Sequence, residues 1–284
     1  MKSTKCLLLF LPFFLVLSGC HDDKTIDDEY IEVMDPAYEE LLTSISCFEK
    51  ENHFVVDAPT RRIKWGFVVA ADAAPIIIFS GFGGIGVFTG TAFGIMNSFY
   101  LALLDRDVSY KKNYRNLNDN WENEVVKLKS LGVDNNEVIG TVHNAVLQEL
   151  LQGCEIVDYS KNTDWELFKI IEEKVAKYLP EESTIHSEYQ FQQMMKAFPD
   201  SRKYIDYASF EGACLNDYPE FKEEFTVALR VLGSIVAQDN EEQLDSYEKG
   251  VIQLIKDSSI PEASKKGLIG TVSVQKASRE FWYE

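Results

Sequence analysis

The chain has 284 residues, of which 28 are Lys or Arg and 46 are Asp or Glu, giving a formal charge of −18 at neutral pH. A surface this acidic repels phosphate backbones, and no basic patch reverses it locally, so nucleic acid is excluded as a partner. At 45% apolar and 12% aromatic residues, the chain can bury one large core or two small ones, which excludes a wholly disordered protein.

Residues 1–19 form the first element. Lys2 and Lys5 precede an apolar run from Leu7 to Leu17, and Ser18 and Gly19 follow; these are the three parts of a secretory signal peptide. The run is too short to span a bilayer core, which takes roughly 20 helical residues. The tetrapeptide Leu17-Ser18-Gly19-Cys20 resembles the lipobox of bacterial lipoproteins at all four positions. The resemblance is limited to the first twenty residues. It implies that diacylglycerol is attached to the Cys20 thiol, that the leader is removed, and that Cys20 becomes the first mature residue, held to a membrane by its lipid. Loss of Lys2 and Lys5 would move the formal charge from −18 to −20.

Residues 20–30, His21-Asp22-Asp23-Lys24-Thr25-Ile26-Asp27-Asp28-Glu29 among them, have little to bury and read as an acidic flexible tether. Acidic residues directly behind a lipidated cysteine resemble a signal, in some gram-negative lineages, for export to the outer face of the outer membrane. A plain spacer on an inward-facing lipoprotein is the alternative. The expected location is the cell envelope, in the outer membrane, with surface exposure left open.

Residues 31–284 read as a single helical domain. Its first distinctive element is the uncharged stretch 73–104, with Gly81, Gly83, Gly84, Gly86, Gly90 and Gly94 inside it and Asp72 and Asp105 at its edges. Three readings compete. Gly86, Gly90, Gly94 and Ser98 recur every fourth residue, a small-residue face that lets helices approach closely in a membrane or in a core. Pro75 to Ser80 could be a strand leading into Gly81-Phe82-Gly83-Gly84-Ile85-Gly86, which fits GxGxxG, with Asp105 placed as a ribose-binding acid. That reading lacks the further strand-helix alternation a doubly wound sheet needs. The third reading is a buried helical hairpin broken near Gly81 to Gly84, and it is favoured. A lipid-anchored chain already has its membrane attachment, and the amphipathic helices that follow need something apolar to cover.

Those helices are well punctuated. Asp134-Asn135-Asn136-Glu137 starts one, with Ile139, Val142, Val146, Leu147, Leu150 and Leu151 on its face and Gly153 at its end. Thr163-Asp164-Trp165-Glu166 is a capping box ahead of Phe168, Ile171, Val175 and Tyr178, and Pro180 stops the run. Another helix opens near Pro219 with Phe221, Phe225, Leu229, Leu232 and Val236 in line; Asn240-Glu241 starts the next, with Leu244, Tyr247, Val251 and Leu254. Ser259-Ile260-Pro261-Glu262 reads as a second capping box, its helix running to Phe281 and Trp282. No Asn-Gly or Asp-Gly hairpin turn occurs and strict alternation is never sustained. The predicted fold is therefore all-α: an antiparallel helical assembly around a central glycine-rich hydrophobic hairpin. Ile139-Gly140-Thr141-Val142 echoes Ile269-Gly270-Thr271-Val272, too short a match to establish a duplication.

Candidate chemistry is sparse. His53, His143 and His186 fit no HExxH or other close ligand spacing, and His143, beside an apolar helix face, reads as a core histidine rather than a base. Asn116-Leu117-Asn118-Asp119-Asn120 begins like a calcium loop but has Trp121 where glycine and Lys127 where an acid is needed. Cys47, Cys154 and Cys214 lie among apolar or small neighbours and read as buried thiols, with room for one disulfide at most. No catalytic residue, metal site or cofactor is expected. The expected function is that of a lipid-anchored, noncatalytic protein-interaction domain whose partner is another envelope or extracellular protein. The alternative is a pore-forming or toxin-like effector that inserts segment 73–104 into a bilayer.

Overall fold

Why a chain with an apolar, glycine-rich middle and amphipathic flanks folds as it does is visible in the computed structural model, which describes residues 34–56, 63–103, 120–153 and 162–282. The lipobox and tether, Asp105, residues 116–119 and Cys154 lie outside the described residues. The described part is all-α, with 11 helices and no strand among the described residues. They are α1 (Pro36–Glu51), α2 (Ile63–Ser80), α3 (Gly84–Ser98), α4 (Trp121–Ser130), α5 (Asn135–Gly153) and α6 (Asp164–Tyr178). There follow α7 (Glu188–Met194), α8 (Tyr207–Asn216), α9 (Lys222–Ala237), α10 (Glu241–Asp257) and α11 (Glu262–Trp282). A π-helical turn, Phe99–Leu103, continues α3.

Local chemistry sets most helix starts. The Thr163 hydroxyl accepts from the Glu166 N–H while the Glu166 carboxylate accepts from the Thr163 N–H, so the expected capping box forms. Ser187 and Gln190 make a second box ahead of α7, and Asn240 caps α10 through the Gln243 N–H. After the Ser259-Ile260-Pro261 segment α11 begins at Glu262, and the Pro261 carbonyl accepts a helical bond from the Lys265 N–H. At Pro219 a short 3-10 turn, Pro219–Phe221, precedes α9.

The hairpin is larger than its uncharged stretch. The helix preceding the glycines reaches back to Ile63, so Asp72 sits mid-helix in α2 rather than at an edge. Residues 75–80 are helical, which removes the strand that a dinucleotide site would need. A turn at residues 81–83, with Gly83 at φ 66°, reverses the chain into α3. Only a residue without a Cβ adopts that left-handed conformation at no steric cost.

Gly86, Gly90, Gly94 and Ser98 all face α2. A Cβ on Gly86 would lie 1.7 Å from the Phe79 carbonyl oxygen, one on Gly90 2.8 Å from Ile76 Cα, and one on Gly94 2.2 Å from the Asp72 carbonyl oxygen. The two helices thus touch backbone to backbone and antiparallel along the whole stripe. Pro75 has no N–H to give Ala71. The Asn97 side-chain amide of α3 donates to that freed Ala71 carbonyl at 2.8 Å. Every residue from Gly86 to Ser98 is buried.

The remaining helices form a jacket. Phe93 of α3 stacks with Phe79 and reaches Phe168 of α6 and Phe198 at centroid distances of 4.7 Å, with Phe191 of α7 at 5.8 Å. α11 lies antiparallel to α2, with Gly267 against Ser80 and Ser278 against Asp72, and α5 packs along α11 and α3. Gly140 meets Ser273, where an added Cβ would stand 2.2 Å from the Ser273 carbonyl oxygen, and Asn144 donates to the Ala277 carbonyl one turn on. The repeated Ile-Gly-Thr-Val thus serves close packing of both helices near Ile76. α1 is clamped from the other side: the buried Glu49 pairs with Arg230 of α9 and accepts hydrogen bonds from Ser234 and from Tyr247 of α10. Among the described residues no helix is long and apolar enough to cross a membrane.

Candidate functional site

Four helices converge on Asp72. The Ser98 hydroxyl of α3 and the Ser278 hydroxyl of α11 both donate to its Oδ2 at 2.5 Å, and His143 Nε2 of α5 stands 3.5 Å from the same oxygen. Trp282 Nε1 donates to Ser98 Oγ at 3.2 Å, and His143 Nδ1 lies 3.1 Å from Asn144 Oδ1. Asp72 Oδ1 and His143 Nε2 have no hydrogen-bond partner among the described residues. Asp72, Ser98, His143, Asn144 and Ser278 are all 0–1% exposed.

Burial sets the acidities here, because a dry core penalises the charged form of either group. It pushes the Asp72 carboxyl up to about 8, against the Ser278 and Ser98 hydrogen bonds that favour ionisation. It pushes the His143 imidazole down to about 4, against its contact with Asn144. Serine, histidine and aspartate are therefore together, but not as a nucleophile and base: both hydroxyls spend their hydrogens on the carboxylate, and no solvent reaches any of them.

The other ionisable groups of the interior are likewise committed to neighbours. His186 Nδ1 is bonded to the buried Glu172 carboxylate, joining the segment before α7 to α6. His53 is exposed and ends the turn after α1 at φ 57°. Arg202 pairs with Asp200 and Asp164 and lies over the Tyr100 ring at 4.3 Å. Lys276 of α11 pairs with Asp245, Glu248 and Glu280, and burial raises the Glu248 carboxyl to about 7 against the pull of Lys276. Among the described residues no group of three His, Cys, Asp or Glu side chains could hold a metal ion. Cys214 is buried and its thiol is pushed up by desolvation, whereas Cys47 is exposed, which corrects the expectation that it lies inside. It falls on the outer face of α1, opposite the stripe Tyr38, Leu41, Ile45 and Glu49.

No protein-family model, curated protein or solved structure matches this chain. What it can do must be read from its own surface and core.

On the surface, three large exposed apolar side chains lie in or beside the α4–α5 and α6–α7 connections. Leu131, in the α4–α5 turn, is 69% exposed; Ile185 and Tyr189, on either side of the Ser187 cap, are 89% and 72% exposed. Lys129 donates to the Tyr178 carbonyl and the Glu181 carboxylate, and Asn135 donates to Glu181 and Glu182. These bonds bracket Leu131 and tie its turn to the acidic loop that leads to Ile185. Lys129 and Asn135 thus tie together two connections that each carry exposed apolar side chains.

Of the residues singled out in the sequence, Cys20 lies outside the described residues, and Gly86, Gly90, Gly94 and Ser98 line the contact with α2. Asp72 is the residue that sequence reasoning undervalued. Its signal was a lone acid on the helical repeat Val68-Asp72-Ile76, in register with an apolar face.

Proposed function

We propose that this chain is a lipid-anchored envelope protein, held in the outer membrane through Cys20, whose helical domain binds another envelope or extracellular protein and catalyses no reaction. The anchor rests on the lipobox resemblance of Leu17-Ser18-Gly19-Cys20. The binding role is carried by the exposed apolar side chains of Leu131, Ile185 and Tyr189 beside Glu181 and Glu182. Aromatic and branched side chains this exposed contribute little to the core, and aromatic anchors dominate protein interfaces. The surrounding carboxylates favour a partner with a basic rim.

The test has two arms on the full chain in its producing cell. Labelled palmitate is expected on the wild type and absent from Cys20→Ser; label on both removes the anchor. A photo-crosslinking residue at position 189 is expected to give a discrete protein adduct that Leu131→Glu abolishes without lowering the melting temperature. An adduct pattern indifferent to Leu131→Glu removes the binding edge.

α3 carries no charge on any face, which supports the second reading, an effector that inserts segment 73–104 into a target bilayer. That reading predicts dye release from liposomes, lost on Gly90→Leu. Intact liposomes in the presence of the wild-type chain dismiss it.

A further inference from the structure

The polar junction around Asp72 can be solved for its hydrogens from the donors and acceptors alone. The Asn144 amide nitrogen donates to the Ala277 carbonyl at 2.8 Å, which turns its oxygen toward His143 Nδ1. That contact closes only when Nδ1 carries a hydrogen, so in the neutral ring Nε2 is a bare lone pair. Trp282 Nε1 can only donate, and it donates to Ser98 Oγ; the single Ser98 hydrogen then goes to Asp72 Oδ2, as does that of Ser278. Nε2 and Oδ2 therefore face each other at 3.5 Å, both fully buried, with a lone pair on each side and no bond donated to Nε2. Two such atoms repel in a dry core unless a hydrogen lies between them.

We propose that this junction is a proton-binding site: one proton is held between Asp72 Oδ2 and His143 Nε2, and the seating of the α2–α3 hairpin on α5 and α11 depends on it. Whichever atom carries the proton, the pair is neutral overall. When hydroxide or water takes the proton, an Asp72 carboxylate and a neutral imidazole remain, leaving one negative charge in the core with two hydroxyl donors.

The neighbouring charges do not supply a substitute. α3 and the turn after it carry no charged residue. On α5, Glu137 pairs with Lys256 and Glu149 with Lys174 and Lys177. On α11, Lys276 is paired with Asp245, Glu248 and Glu280, Arg279 donates to the Gln238 carbonyl, and Lys265 donates to that of Lys256. On α9, Arg230 is paired with Glu49, and on α8 Glu211 lies near Tyr207. None of these acts on the acidity of Asp72 or His143.

The sign of the pH dependence follows from counting protons on the pair. Between pH 3.8 and 6.5 the unfolded pair, carboxylate and imidazolium, holds one proton, as does the folded pair, so stability is flat. Above 6.5 the unfolded pair holds none while the folded pair keeps its proton to about 8, so stability is lost as pH rises through that window. One proton over that interval changes the unfolding equilibrium roughly 30-fold.

The experiment is denaturant unfolding of the full chain from pH 4 to 9, for the wild type, Asp72→Asn and His143→Gln. Against the background shared by all three proteins, to which Glu248 contributes between pH 4.5 and 7, the pair in the wild type is expected to weaken the fold only above pH 6.5. Asp72→Asn is expected to reverse the slope, weakening as pH falls from 6.5 toward 4, and His143→Gln to weaken steadily from pH 4 to 8. Parallel profiles for all three overturn the proposal. If a variant fails to fold, nitrogen-15 NMR of the wild-type His143 ring decides: an Nε2 in hydrogen-bonded contact through pH 6.5 and released near 8 supports the site. A bare Nε2 at pH 6 overturns it.

Discussion

Replacing Gly94 by alanine tests the hairpin against a neighbour that is held in place. The added methyl would lie 2.2 Å from the Asp72 carbonyl oxygen and 3.2 Å from its carbon, whereas ordinary contact begins at 3.4 Å. α2 cannot easily yield there: the Asp72 carboxylate is bonded to Ser98 and Ser278, and the Ala71 carbonyl to Asn97. The helices must separate by on the order of 1 Å, and a gap of that size forfeits a quarter to a half of each van der Waals contact it opens. Overpacking a tight core costs about 1–3 kcal/mol, and loosening on the order of 40 contacts of ~0.15 kcal/mol each by about a third adds about 2 kcal/mol. The gain in helix propensity returns about 1 kcal/mol, so the net expectation from overpacking and opened contacts is a destabilisation of about 2–4 kcal/mol. The control is Gly212→Ala in α8, where the nearest atom, Asn216 Nδ2, is 4.0 Å away. With no steric penalty, that change should stabilise by about 0.5–1 kcal/mol. Urea unfolding followed by circular dichroism at 222 nm measures both. Gly90→Ala, at 2.8 Å from Ile76 Cα, should fall between them. A Gly94→Ala variant within 1 kcal/mol of wild type, on the overpacking scale just used, would refute the close backbone contact.

Three further outcomes are expected. Arg230→Ala strands the Glu49 carboxylate at 2% exposure, with only the Ser234 and Tyr247 hydroxyls left to it; breaking one side of a buried pair costs about 3 kcal/mol, readable in the same urea titration. Thr163→Ala removes the cap of α6 and should cost about 1 kcal/mol, with loss of amide protection confined to the first turn. Partial burial tends to raise the Glu149 carboxyl, but bonds from Lys177, Tyr178 and Lys174 outweigh it and hold it at about 2. Its stabilising effect is therefore present above pH 4.5 and lost as pH falls toward 2. Glu149→Gln should flatten that acid limb by on the order of 1 kcal/mol, less at high salt, as acid titrations at two ionic strengths would show.

The helical class and most helix starts were legible because they are local. Thr163 and Glu166 cap α6 through bonds that span three residues, and Asn240 does the same for α10. The repeat of Gly86, Gly90, Gly94 and Ser98 declared a close-approach face, because small residues every fourth position share one side of a helix. Less was legible where the outcome depends on residues far apart in the chain. Cys47 and Cys214 have similar neighbours in sequence, yet one is exposed on α1 and the other buried on α8. Pro75 to Ser80 could be a strand by composition, and Pro75 is tolerated inside a helix because Asn97 accepts the role of its missing N–H.

By itself the sequence determined the acidic balance, the helical periodicity and the existence of a small-residue face, and it carries the resemblance of residues 17–20 to a lipobox. These depend on composition and on spacings within one or two turns. Only the tertiary structure decided what that face meets, which is the backbone of α2, and where the lone acid of the hairpin goes. Asp72 is brought to Ser98, His143 and Ser278, at separations of 26 and 206 residues along the chain for the two serines. No local rule specifies such a meeting: it exists because packing the apolar faces of α3, α5 and α11 against α2 leaves those side chains nowhere else to find a hydrogen bond.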